Sequence, residues 1–270
     1  MSDTTIRAIA HPTDFSPQGQ LAFAHALRLA MLHRCPLDLL HVRDPDGPSE
    51  LGKFPKVRAL LQRWGLLPAD ASPADVLPAT GVSVRKVDIR DDNAVDGLAD
   101  YLWEYEIDLV VMATHGRTGV KRWIGGSVSD QVMREAQVPA LLLGPQARGF
   151  VAPDSGELTL RHALLPVADR PEPGQAHQAL ARLLAGTGAA IDCLHVGTHP
   201  PRVTDAAQAS VAVRCVAGDP VAAILAEAAD ADLIAMPTAG RQGFKDALRG
   251  STTERVIAQA SCPVLALPVG

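Results

Sequence analysis

The sequence predicts an α/β protein built from two tandem, doubly wound parallel-sheet units, and three observations lead there. Apolar runs of strand length alternate with amphipathic helical stretches along the whole chain. Aromatic residues make up only 4% of 270 residues while Ala, Leu and Val dominate, which suits helices laid over a sheet better than an aromatic, turn-rich sandwich. The chain also repeats itself: "DLVVMATHGRTGVKRWIGGSVSDQVMREAQVPALLL" (108–143) aligns without a gap with "DLIAMPTAGRQGFKDALRGSTTERVIAQASCPVLAL" (232–267), at a constant offset of 124.

The elements follow in order. "RAIAH" is a short first strand, Gln18 to His33 an amphipathic helix, and "PLDLLHV" a second strand. A third strand near Val82 to Ile89 leads into a helix starting about Asn93, and the unbroken apolar run "DLVVMA" is the fourth strand. A glycine-containing loop then opens a helix, "SVSDQVMREAQ", closed off at Val138-Pro139 because the residue before a proline avoids the helical region, and a fifth strand follows. The second half repeats the series. "ALLPVAD" (163–169) answers "AIAHPTD" (8–14), "CLHV" (193–196) answers "LLHV" (39–42), and "GDPVA" (218–222) answers "DDNAV" (91–95). There Asp219 is placed as an N-cap with Pro220 in the first turn, and "STTERVIAQA" ends at Cys262-Pro263. Strands apolar throughout and separated by helices are parallel and buried on both faces.

The halves differ in one place. The first carries an extra segment at about 43–80, in which "FPKVRALLQRWGLL" is helical, where the second has only a short Pro-rich connection. "GPQARGFVAPDSGE" (144–157) is rich in Gly, Pro and polar residues, so the expected organisation is a first domain at 1–147, a linker at 148–157 and a second domain at 158–270.

Composition narrows the partners. Net charge is −5, divided as −2 before and −3 after residue 150, so neither half advertises a nucleic-acid surface. Cys35, Cys193, Cys215 and Cys262 are scattered without metal spacing and are expected to be buried, reduced thiols of a cytoplasmic chain, with no metal site. No apolar stretch approaches the roughly 18 residues that span a bilayer, and no secretion signal opens the chain, so no membrane association is expected.

In an open parallel sheet, ligands bind outside the carboxyl ends of the strands, where the winding reverses. At the first strand end stand Pro12, Thr13 and Asp14; at the fourth stand Met112, Ala113, Thr114, His115 and Gly116. From there the loop runs to Gly126-Ser127, where unpaired helix N–H groups and the hydroxyls of Ser127 and Ser129 suit a phosphate. Gly116, Gly119, Gly125 and Gly126 let backbone approach a ligand without Cβ interference. Asp14 beside this loop is placed to accept hydrogen bonds from a ribose or an adenine amino group. The alternative is plain capping, since Ser127 with Asp130, and Ser251 with Glu254, fit a capping box. Capping does not explain the nine residues between Gly116 and Gly126, a spacing repeated between Gly240 and Gly250. Neither a P-loop nor an ordinary GxGxxG dinucleotide fingerprint is present.

These motifs, "HPTDFS", "LLHV", "MATHGRTG" and "GSVSDQV" followed by "VPALLL", resemble the universal stress proteins, specifically their tandem members, over nearly the whole chain twice. The resemblance implies a five-stranded, Rossmann-like sheet of order 3-2-1-4-5 in each half. It also implies ATP, with Mg²⁺ accompanying it, between the ends of strands one and four, and an intramolecular pseudo-dimer paired through the fifth strands, which leaves room for a further homodimer. Carried over by residue, Asp14 meets ribose or adenine, Val42 and Met112 line the base pocket, and Gly116, Gly126, Ser127 and Ser129 hold phosphates, with Pro12, Thr13, Ala113, His115, Arg117, Gly119 and Val128 as the remaining cofactor-binding candidates of this half. The family pattern of Gly, two residues, Gly, nine residues, Gly and Ser or Thr begins here with Ala113 instead of glycine. In the second half the corresponding site takes Asp169, Val196, Gly240, Gly250, Ser251, Thr252 and Thr253, but Pro237 stands at the first glycine, fixing φ and removing a donor.

Catalytic machinery is not evident: no nucleophile has a partnered base, "GGSVSD" is not a GxSxG elbow, and His115 is either a ligand-lining group or a lone base. His41 and His195 are read as satisfied structural groups, and Trp64 and Trp123 as packing or interface residues. The classes left open are a nucleotide-dependent stress regulator with at most slow hydrolysis, an ATP-using enzyme of a related fold with an acceptor pocket in the extra segment, and a ligand-free interaction module.

Overall fold

The computed structural model describes residues 6–114, 137–239 and 252–269. Its first half runs β1 (Ile9–Pro12), α1 (Pro17–His33), β2 (Leu37–Arg43), α2 (Val57–Arg63), α3 (Val76–Thr80), β3 (Val84–Arg90), α4 (Ala94–Glu104), β4 (Leu109–Ala113) and β5 (Ala140–Leu143). The second half runs β6 (His162–Pro166), α5 (Pro173–Leu183), β7 (Ala190–Val196), β8 (Val203–Thr204), β9 (Ser210–Val211), β10 (Val213–Val216), α6 (Pro220–Glu227), β11 (Leu233–Ala239), α7 (Thr252–Gln259) and β12 (Val264–Val269). The helix expected over "SVSDQVMREAQ" lies outside the described residues.

Local chemistry sets the boundaries. Ser16 caps α1 by accepting from Gly19 N at 3.1 Å, with Pro17 pre-set for the first helical position. Arg34 closes the helix in the left-handed region, φ 52. Asn93 and Asp219 cap α4 and α6, accepting from Val95 N and Ala222 N, each at 3.0 Å.

Two compact units result. Pro139–Phe150, carrying β5, belongs to the C-terminal unit, and Val151–Thr159 returns to the N-terminal one. In the N-terminal unit the parallel strands stand in the order β3-β2-β1-β4. The C-terminal unit has β10-β7-β6-β11-β12, all parallel, which is 3-2-1-4-5 counted within that half. Beyond β12 lies β5, antiparallel, with Val264 opposite Leu142 and Ala266 opposite Ala140. α1 packs on β1 and β4, and its Phe23 and Leu27 are both fully buried, each contributing ~1.5–3 kcal/mol of hydrophobic stabilisation.

The extra segment is partly helical, as α2 and α3, and is anchored by Trp64. That indole is buried and its Nε1–H donates to Pro153 O at 3.1 Å. Gly156, at φ 68, lies directly against the ring.

Two expectations are corrected. The connection after β7 holds an antiparallel ribbon, Val203 opposite Val211 and Thr204 opposite Ser210, because Asp205 Oδ1 accepts from Ala207 N and Ala209 N at 2.8 and 2.9 Å and folds the turn between them. Cys35, Cys193 and Cys262 are buried free thiols, but Cys215 is exposed, since β10 is the edge strand of its sheet. Among the described residues no helix is long and apolar enough to cross a membrane, and no group of three or more His, Cys, Asp or Glu is placed to hold a metal ion.

Candidate functional site

β1 pairs with β4 only through Ile9 and Ala10, opposite Leu109 and Val110. Beyond these pairs the two strands no longer pair, and their carboxyl ends are where an open parallel sheet has its ligand crevice. Pro12, Thr13 and Asp14 border it from β1, and Met112, Ala113 and Thr114 from β4. Pro12 pairs with Leu40, so Val42 at the end of β2 comes level with Asp14.

The turn from β1 into α1 is tied by successive side chains. Thr13 Oγ1 accepts from Phe15 N at 3.1 Å, Asp14 Oδ1 from Ser16 N at 3.0 Å, and Ser16 Oγ from Gly19 N at 3.1 Å. Phe15 takes a left-handed backbone, φ 61, which reverses the chain without a glycine. This arrangement uses one carboxylate oxygen of Asp14 and leaves the other: Oδ2 is buried and has no hydrogen-bond partner among the described residues.

Two histidines brace the crevice. His11 is fully buried and its ring Nδ1–H donates to Val111 O at 2.8 Å, satisfying a β4 carbonyl where ladder pairing has ended. Burial holds its pKa down to about 4, against smaller opposing contributions from the Val111 carbonyl and Asp14, so the ring is neutral and Nε2 is left as an unpartnered acceptor. His41 donates Nδ1–H to Thr13 O at 2.8 Å, while Nε2 meets Glu50 Oε2 at 3.0 Å. A carbonyl only accepts, so Nδ1 is the nitrogen that carries a proton in this contact. Phe15 packs against His41 with the rings tilted and their centroids 4.2 Å apart, and meets Phe54 edge-on at 5.7 Å, so the start of the extra segment is pinned to the β1 turn. Beside them Arg43 pairs with Asp88 at 2.8 Å with both side chains nearly buried. Burial works against the charged form of Asp88, but hydrogen bonds from Ser49 and Arg43 outweigh it and hold the carboxyl below its usual range.

His11, Phe15, Glu50 and Phe54 were not singled out from the sequence. A histidine inside an otherwise apolar buried strand was the available signal for the first; nothing in the pattern marked the others. His41 and His195 are satisfied structural groups as expected, His195 donating to Val167 O at 2.9 Å in the matching place.

The strand pairings revise the alignment of the two halves. Pro166 pairs with Leu194 as Pro12 pairs with Leu40, and Ala163 lies opposite Leu233 as Ile9 lies opposite Leu109. The structural offset at the first strand is therefore 154, one less than the offset between "AIAHPTD" and "ALLPVAD". Val167 takes the place of Thr13 and Ala168 that of Asp14; Asp169 sits one position farther along, exposed. Asp169 is thus not the counterpart of Asp14. β11 also leaves β6 after Ile234, so Pro237 lies where the strands have separated and its missing N–H breaks no pairing with β6. Val196 is half-buried at the end of β7, and Thr252 and Thr253 open α7. His115, Gly116, Arg117, Gly119, Gly126, Ser127, Val128, Ser129, Gly240, Gly250 and Ser251 lie outside the described residues.

The sequence model of the universal stress protein family matches residues 5–144 and 201–268, one segment in each half of the duplication. The chain belongs to the universal stress protein family. A universal stress protein of Mycolicibacterium smegmatis is 24% identical over 285 residues, 93% of this chain and 94% of that protein. One from Methanocaldococcus jannaschii is 52% identical over 141 residues, 51% of this chain and 81% of that protein. Among solved structures, a universal stress protein from Archaeoglobus fulgidus matches with a TM-score of 0.63 at 19% identity, covering 99% of this chain and 98% of its own. A functionally unknown protein from Pseudomonas aeruginosa matches with a TM-score of 0.62 at 17% identity, covering 98% and 93%. The universal stress protein fold thus extends along the whole chain.

Proposed function

We propose that this universal stress protein binds ATP, with Mg²⁺ accompanying it, in the crevice between β1 and β4, and acts in the cytoplasm as a nucleotide-dependent stress regulator with at most slow hydrolysis. The observation that carries this reading is Asp14. A carboxylate oxygen buried without a partner is costly, about 1–3 kcal/mol, and such an atom at a sheet crevice suits a ligand that donates to it. Ribose hydroxyls and the adenine amino group are donors of that kind, so the residues present fit an adenine nucleotide.

In this reading Val42 and Met112 border the base, Ala113 keeps an N–H where a glycine is usual, and Gly116, Gly126, Ser127 and Ser129 receive the phosphates. When bound, ATP supplies a charged tail whose loss changes the surface offered to partners. The N-terminal unit alone is assigned the nucleotide, because Ala168 and Pro237 leave the C-terminal crevice without the acceptor and without one backbone donor. The two tandem domains are taken as 1–147 and 158–270.

Calorimetric titration of the full chain with Mg-ATP tests the reading, beside Gly126→Val, which blocks backbone approach to phosphate. One saturable site per chain, lost in the variant, is expected. Absence of saturable heat at millimolar ATP, or unchanged affinity in Gly126→Val, overturns it.

A further inference from the structure

The extra segment and α1 enclose a cavity of about 480 Å³ that shares no lining residue with the crevice. Its walls include Leu21 of α1 with Phe54 and Leu60 of the segment, and its rim carries Lys53, Lys56 and Arg63. No carboxylate lines it. Lys53 is paired with Glu50, but Lys56 donates only to a neutral acceptor, Gly52 O, at 3.0 Å. Lys56 also stands near Lys86 of β3, whose ammonium is held below its usual range by burial first and by the charge of Lys56 second. Arg63 at the end of α2 is exposed. The rim therefore concentrates positive charge beside an apolar floor. Small-molecule sites commonly have this form, ~300–1,000 Å³ with apolar walls and a few placed polar groups.

We infer that this cavity binds a single-chain amphiphilic anion, an aliphatic carboxylate, with its hydrocarbon chain against Leu21, Phe54 and Leu60 and its head group between Lys56 and Arg63. An uncharged chain of the same length gains the floor but not the rim, and a carboxylate without a chain gains the rim but not the floor. Discrimination against both is the signature of a site built for the two together.

The test is titration of the full chain with octanoate, octanol and acetate, without nucleotide, so that its failure is separate from any failure of ATP binding. Saturable octanoate binding is expected, with octanol and acetate each weaker by roughly tenfold or more. The double variant Lys56→Gln with Arg63→Gln lowers octanoate affinity by about tenfold and leaves octanol unchanged. Ala59→Trp, at an exposed position lining the same cavity, fills it and abolishes binding of both. These substitutions are at exposed positions, and an unchanged melting midpoint verifies folding. No saturable octanoate binding, equal affinity for octanol, or wild-type affinity in Ala59→Trp overturns the inference.

Discussion

Asp14→Asn separates a ligand-binding carboxylate from a turn-forming one. The amide keeps Oδ1, and with it the 3.0 Å bond from Ser16 N that holds the β1–α1 turn. Only Oδ2 changes, from a buried, unpartnered carboxylate oxygen to an uncharged NH₂. Without ligand, an unpartnered buried N–H group replaces an unpartnered buried oxygen, penalties of the same order, so the melting midpoint is expected to stay within about 2 °C of wild type. With ligand, an acceptor is exchanged for a donor; hydrogen bonds to charged groups are worth about 1.5–3 kcal/mol, so ATP affinity falls roughly 10- to 100-fold. Affinity therefore falls while stability stays near that of wild type. Scanning calorimetry of the free chain gives the first quantity, and isothermal titration with ATP, adenosine and tripolyphosphate gives the second. Adenosine is expected to lose as much as ATP, and tripolyphosphate nothing. A lower melting midpoint with unchanged ATP affinity refutes the reasoning, because Asp14 then serves the turn alone; equal losses for adenosine and tripolyphosphate refute its assignment to the nucleoside.

Three further outcomes follow from the packing. In Gly156→Ala the new Cβ lies 2.4 Å from Trp64 Cδ2 at φ 68, so overpacking and left-handed strain together cost about 2–4 kcal/mol, and a urea midpoint within error of wild type would contradict this contact. His11 and His25 are both held to about 4 by burial, so between pH 6.5 and 4 the unfolded chain binds protons that the native chain refuses. Their stabilisation is complete above pH 6.5 and is lost as pH falls toward 4, about 3 kcal/mol for each histidine; urea midpoints that stay level between pH 7 and 4.5 count against it. Cys215 is exposed, whereas burial raises the thiols of Cys35 to about 12 and of Cys193 and Cys262 to about 11, so an aromatic disulfide reagent at pH 8 is expected to modify one thiol promptly and the others only on unfolding.

Much of the fold was legible because it rests on local signals of long reach. Continuous apolar runs marked the strands, Asp219-Pro220 marked the start of α6, and the ungapped 124-residue offset established the duplication. The β8–β9 ribbon was missed because its strands are two residues each and its turn depends on one Asp side chain. The placement of Pro12, Thr13, Asp14, Met112 and Ala113 at the carboxyl ends of β1 and β4 was legible, since strand ends follow from strand positions. His11, Phe15 and Phe54 were not, because their contacts join β1 to residues thirty or more positions away, across an insertion whose path the pattern did not reveal. Asp169 shows the limit most clearly. Matching "TD" with "AD" favoured identical letters, whereas the sheet aligns Pro12 with Pro166 and moves that aspartate one place beyond. In an extended chain one position is a change of face, so a single-residue slip decides whether a carboxylate can border a crevice.

That slip also indicates what each half contributes. Groups that hold the frame recur in both: His41 on Thr13 O is matched by His195 on Val167 O, and Asn93 capping α4 by Asp219 capping α6. Of the groups bordering the crevice, Pro12, Val42, Met112 and Thr114 recur as Pro166, Val196, Met236 and Thr238, whereas the polar Thr13 and Asp14 become Val167 and Ala168, and Ala113 becomes Pro237. A requirement of folding acts on both copies alike, because an unsatisfied carbonyl or helix end costs the same wherever it lies. A requirement of a ligand acts only on the copy that binds it. The C-terminal half still has a task in which its crevice plays no part: β12 pairs with β5, and a parallel sheet that would otherwise end in a row of open N–H and C=O groups is closed on that side. Its retention in the chain is thus accounted for by strand pairing, and a second nucleotide is not needed to explain it.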